Sequence, residues 1–220
     1  MRLDTSALPR SSGATRLLVA GYLAFLLVSA ITPDVSPSTP TGAVTGLALA
    51  WAFFALSITT AIAVIRTRKY HERPLTFPFA VVALAAAIPL RFLAAHITGP
   101  AAPSAGSLTV HFPLLIILTG LIGSWVVAPL AEEWVFRGYL LPKEPTWRDI
   151  AFNALLFALL HPWHFAQPEL TLRSHAAVFA LGLALAATKK LTRSTWTCVA
   201  LHFFINIAGL LTLQVTTEAL

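Results

Sequence analysis

The sequence predicts an all-α fold, a polytopic membrane helical bundle of about seven transmembrane helices with six to eight as the range, and three observations carry that prediction. Of the 220 residues, 57% are hydrophobic and only 11% charged, with a mean hydropathy of +0.76, whereas a soluble domain carries about a quarter charged residues. The apolar residues gather into runs close to the roughly 20 residues that a helix needs to cross a bilayer. Every second loop between those runs is basic, as expected when alternate loops face the cytoplasm. The chain, 1–220, reads as a single integral membrane domain.

The runs fall near 17–31, 43–65, 77–97, 112–141, 150–165, 175–188 and 195–213, the sixth being the weakest. Arg2, Arg10 and Arg16 precede the first. Arg66, Arg68, Lys69 and Arg73 follow the second, Lys143 and Arg148 the fourth, and Lys189, Lys190 and Arg193 the sixth. By contrast, loop 32–42 holds only Asp34, loop 98–110 holds no charge, and the loop near 166–174 holds Glu169 and Arg173. Seven spans with a cytoplasmic N-terminus satisfy this alternation. Residues 1–30 also resemble a signal peptide ending at Val28-Ser29-Ala30, a reading that leaves the later topology unchanged. Residues 32–42 are a Pro-rich loop.

The net charge of +6 belongs to these topology-setting loops and not to a nucleic-acid surface. The one cysteine, Cys198, excludes an internal disulfide framework and a cysteine-based zinc site, and its apolar setting makes it packing.

Glu132 and Glu133 stand side by side within the fourth run, preceded by Val126-Val127-Ala128-Pro129-Leu130-Ala131 and followed by Trp134-Val135-Phe136. A carboxylate in hydrocarbon is costly and calls for a partner and a purpose. Adjacent residues of a helix point about 100° apart, while Glu133 and Arg137 are i,i+4 neighbours. Arg137 therefore neutralises Glu133, and Glu132 is left to point into a cavity. Pro129, which has no N–H, loosens the helix just upstream, a break tolerated at membrane depth only where protein or water satisfies the freed groups.

Two other apolar runs bring imidazoles to a similar level. Measured from their basic ends at 1.5 Å per residue, Glu132, His161 and His202 lie roughly 15, 20 and 14 Å deep. His202 and Asn206 are i,i+4 and share a face, as do Phe157 and His161, with Phe157 as packing support. A buried carboxylate beside an imidazole can take a proton from water, and a second imidazole with a carboxamide can donate to an oxyanion. Glu132, His161, His202 and Asn206 are thus candidate catalytic residues for peptide hydrolysis without a nucleophilic side chain. The same set could instead hold a divalent metal such as zinc, with Glu132, His161 and His202 as ligands; the spacing is not that of a His-Glu-x-x-His helix. His96, His111 and His175, near span ends, read as interfacial, as does His164, the substitute should His161 fail. Arg91 can snorkel to its interface.

These residues resemble a known family. Glu132-Glu133 with Arg137 fits the Glu-Glu-x-x-x-Arg motif of the CPBP (CAAX protease and bacteriocin-processing, Abi) intramembrane endopeptidases. Phe157 with His161 fits its Phe-x-x-x-His motif, and His202 with Asn206 its His-x-x-x-Asn/Asp motif. The likeness covers roughly 110–213, a CPBP-like catalytic core; the first three spans add only hydrophobicity to it. It implies an endopeptidase whose cavity opens toward the cytoplasm, acting on a membrane-anchored protein or peptide in the lipid bilayer of a bacterial inner membrane. Glu132 and His161 would activate water, His202 and Asn206 would bind the oxyanion, and Glu133 and Arg137 would support the site. The family is described both as metallo- and as glutamic proteases. Typical eukaryotic members trim prenylated CAAX termini, a feature for which this chain shows no recognisable counterpart. Alternative functions are a non-catalytic immunity or scaffold protein of the same fold, and a proton-coupled carrier; the lack of two matched halves speaks against the carrier.

Overall fold

A computed structural model describes residues 12–31, 40–68, 72–98, 121–161 and 168–217, and they form an all-helical bundle. The helices are α1 (Gly13–Ile31), α2 (Pro40–Arg68), α3 (Phe77–Thr98), α4 (121–140), α5 (Trp147–Leu159), α6 (Pro168–Thr192) and α7 (Thr195–Thr217). The expectations for His111, His164 and residues 32–39 of the Pro-rich loop lie outside the described residues, while residues 40–42, expected as loop, are the first turn of α2.

Among the described residues four helices, α1, α2, α3 and α6, are long and apolar enough to cross a membrane. Their outward faces carry large apolar side chains such as Leu17, Val28, Trp51, Val82 and Phe92. In water such a surface would drive aggregation, whereas hydrocarbon is its natural solvent. Helix α5 has 13 residues and rises about 20 Å, short of a full span.

Two expectations need correction. The run expected to be weakest, 175–188, is the middle of the 25-residue α6. Residues 168–174, expected as loop, are its first turns. Their polar side chains lower the hydropathy but not the helicity: Pro168 fits an N-terminal turn, and Glu169 pairs with Arg173 one turn on at 2.6 Å. Likewise Lys189 and Lys190 are not loop charges but belong to the last turns of α6.

Helix α4 is irregular where it matters. Gly123–Val127 and Trp134–Leu140 are π-helical, flanking an α-helical segment Ala128–Glu133. Around Pro129, which offers no N–H, the chain widens: Ala128 N–H reaches back five residues to Gly123 O. At the far end Leu141 N–H does the same to Phe136 O. Such widened turns are rare and cluster at functional sites. Gly123 permits close approach of α2, since a Cβ there would meet Phe54 Cε1 at 2.5 Å.

The core lies around α4. Val19 and Tyr22 of α1, Ala61 and Val64 of α2, and Phe157 of α5 pack against Ala131, Trp134, Val135 and Phe136. A second cluster joins Ala83 and Ala87 of α3 to Leu185 of α6 and Cys198, Leu201 and Ile205 of α7. Cys198 is fully buried, as its apolar setting predicts. Helix α5 starts with a capping box, in which Asp149 N–H donates to Thr146 Oγ1 and Thr146 N–H donates to Asp149 Oδ2.

Candidate active site

Helix α4 buries both glutamates and Arg137; Glu133 and Arg137 have no exposed side-chain surface. Arg137 donates to Glu133 Oε1 at 3.2 Å and to the backbone oxygen of Gly182 on α6 at 3.1 Å. Its guanidinium carbon lies 4.3 Å from the centre of the Phe157 ring, within cation–π range. The i,i+4 pairing expected from sequence is therefore present, with Gly182 and Phe157 completing the guanidinium's surroundings.

His202 approaches from α7. Its Nδ1 is 2.9 Å from Glu133 Oε1, and its Nε2 is 4.0 Å from Glu132 Oε2. A carboxylate can only accept, so Nδ1 carries the proton in that bond. Glu133 thus has two cationic or donor partners, one local and one from a distant helix. The second distance exceeds a hydrogen bond but suits a single bridging water.

Glu132 is oriented differently from its neighbour. Together with His161 it lines a cavity of about 320 Å³ whose other walls are mostly apolar, among them Phe25, Ala30, Leu49 and Phe53. Glu132 Oε2 is buried without a hydrogen-bond partner among the described residues. His161, just past the end of α5, has Nδ1 2.7 Å from the Phe157 carbonyl oxygen. That oxygen only accepts, so Nδ1 is the protonated nitrogen and Nε2 of the neutral ring keeps its lone pair. The Phe157 ring links the two imidazoles, with its centre 4.5 Å from that of His161 and 6.0 Å from that of His202.

Besides Glu132 and Phe136 of α4, the lining residues come from the last turns of α1, the N-terminal half of α2 and the C-terminal end of α5. The cavity thus extends away from the turn at 141–146. Neither His202 nor Asn206 is among the residues that line it. Asn206, expected to face the same space as His202, donates from Nδ2 to the Ser124 backbone oxygen at 2.7 Å; one hydrogen of its amide remains for another acceptor.

The ring nitrogens of His161 and His202 that are not bonded to the Phe157 carbonyl and to Glu133 are their Nε2 atoms, the ones that would ligate a metal beside Glu132. Among the described residues no group of three His, Cys, Asp or Glu side chains is gathered closely enough to hold a metal ion as they stand. Of the histidines expected at interfaces, His96 is exposed in the last turn of α3, and His175 bonds the Thr171 carbonyl of its own helix.

Sequence reasoning missed Gly182, because its contribution is a backbone oxygen, and Ser124 for the same reason. Glycine at 182 is itself a signal: a Cβ there would lie 3.2 Å from Ala154 Cα on α5, marking a close helix crossing.

Residues 113–208 match the family model described as type II CAAX prenyl endopeptidase Rce1-like. No curated protein and no solved structure matches the chain.

Proposed function

Since residues 113–208 place the chain in the CPBP family of CAAX-type intramembrane endopeptidases, we propose that Glu132 and His161 activate water against a peptide bond of a membrane-anchored protein or peptide. One observation carries this reading: of two adjacent buried glutamates, Glu133 is held through its Oε1 by Arg137 and His202, while Glu132 faces a cavity beside an imidazole.

In the first step the water oxygen attacks the scissile carbonyl carbon as its proton passes to the Glu132 carboxylate, with the His161 Nε2 lone pair as the neighbouring acceptor. The carbonyl becomes a tetrahedral oxyanion. His202 Nε2, 4.0 Å from Glu132 Oε2, can donate to that oxygen when its ring holds both protons. Asn206, off the cavity lining, would reach it only with a substrate that extends past the cavity toward α7. In the second step the C–N bond breaks and the proton held by Glu132 moves to the leaving amine. Glu133 and Arg137 support the site: they hold His202 and fix the turn that presents Glu132.

In this reading the basic segments 66–73, 143–148 and 189–193 face the cytoplasm across a bacterial inner membrane. The test is a survey of membrane-protein termini in cells carrying either the native chain or Glu132→Gln at matched levels. New termini are expected with the native chain alone; identical termini in both would contradict the assignment.

A further inference from the structure

The loops joining α2 to α3 and α6 to α7 are tied together by a buried network that the proposed chemistry does not use. The side chains of Glu72 and Lys189 are 8% and 9% exposed, and they form an ion pair at 2.5 Å. Glu72 Oε2 also accepts from the Thr195 backbone N–H at 2.9 Å, and Lys189 Nζ donates to Thr195 Oγ1 at 2.9 Å. Next to it, Ser194 Oγ donates to the Arg73 carbonyl at 2.8 Å and accepts from Thr197 N–H at 3.2 Å, capping α7. Arg193, in the left-handed region at φ 55°, turns the chain from α6 into α7.

This network sits at one end of a closed ring. Two helical turns along α6 from Lys189 lies Gly182, whose carbonyl holds Arg137. Two turns along α7 from Thr195 lies His202, which holds Glu133, and Glu133 holds Arg137. Helices α6 and α7 are joined by a tight turn and run back on one another, so the two cross-links are rungs about 10 Å apart. Together with the packing of Cys198, Leu201 and Ile205 against α3 and α6, the two rungs constrain the register and rotation of α7.

We propose that Glu72 is a positioning residue for His202, acting through the first turn of α7 at a distance from the site. Glu72 lies outside the matched segment 113–208, so the α2–α3 loop sets the geometry of a core to which it does not belong by sequence. The structural claim stands on the geometry above; its consequence for turnover rests on the peptidase reading.

The test uses the full chain in lipid nanodiscs, labelled with 13C at histidine, with the imidazole resonances assigned from His202→Gln and His161→Gln. Glu72→Ala is expected to move or split the His202 resonance while that of His161 stays in place. Glu72→Gln, which keeps an acceptor for Thr195 N–H, should give a smaller change of the same kind. A His202 resonance identical to the native one, even with a lowered Tm, would overturn the proposal and reduce Glu72 to a loop staple. Should Glu72→Ala fail to fold, Glu72→Gln decides by the same readout. On a peptide that the native chain cleaves, Glu72→Ala is expected to lower kcat about tenfold, the scale of a small misplacement in an active site, with KM nearly unchanged. If the native chain cleaves nothing, the peptidase reading fails and the imidazole signal still judges the positioning.

Discussion

Glu133 and Arg137 have no exposed surface, and at this depth neither can turn to water if the other is lost. Arg137→Met is therefore expected to cost about 3–5 kcal/mol, because it strands a buried carboxylate. The double variant Glu133→Gln/Arg137→Met should recover part of that loss, as it removes both charges; equilibrium unfolding in mixed micelles measures each. Half of this arrangement is legible in the sequence, since i,i+4 spacing forces Glu133 toward Arg137 and turns Glu132 away. The bond from His202 to Glu133 is not, because local spacing says nothing about which of two adjacent carboxylates a distant helix meets. Asn206 escapes for a similar reason: its partner is the backbone of Ser124, which any residue type would supply. The water activation proposed for Glu132 needs no metal, so peptide cleavage is expected to survive dialysis against a chelator. Loss of activity restored by added zinc would show that Glu132, His161 and His202 regroup around a metal.

At the scale of elements, the site depends on how closely α5 and α6 cross. A Cβ on Gly182 would meet Ala154 Cα at 3.2 Å and Phe157 Cδ1 at 3.3 Å. Gly182→Val is therefore expected to destabilise the fold by about 1–3 kcal/mol, the usual range for overpacking. It should also lower activity, since Phe157 contacts Arg137 and both imidazoles. Thermal unfolding and a cleavage assay together test this. The start of α5 offers a pH-dependent check. Hydrogen bonds from the Thr146 side chain and backbone hold the Asp149 carboxyl below its usual range. A carboxyl lowered in the folded state stabilises above its ordinary value, about pH 4, and that contribution fades as the pH falls through the folded value. Thr146→Ala should cost about 1 kcal/mol at neutral pH and flatten this acid-side dependence of Tm. Hydropathy located the apolar centres of the helices well but not their polar ends. Residues 168–174 continue as helix because Pro168, Glu169 and Arg173 suit a first turn, information that a hydropathy average discards.

At the scale of the whole molecule, α1 and α2 close the cavity that Glu132 enters, although they lie outside the family-matched segment. The sequence showed them only as hydrophobic spans, since a cavity wall of Phe, Leu and Ala has the same composition as a lipid-facing surface. Orientation is open to direct test. Cys198 is fully buried, so single cysteines placed at Arg73 and Glu144 can be labelled without background. Both should react with an impermeant maleimide only from the cytoplasmic side; labelling from outside would invert the topology. The central claim is that Glu132 delivers water to a peptide bond, and one comparison tests it most directly. Purified native chain and Glu132→Gln, reconstituted in liposomes with the same membrane-tethered peptide, are compared by initial rate of cleavage. The account predicts a loss of at least about 10²-fold in the variant, the usual contribution of a general base, with the fold intact; equal rates would contradict it.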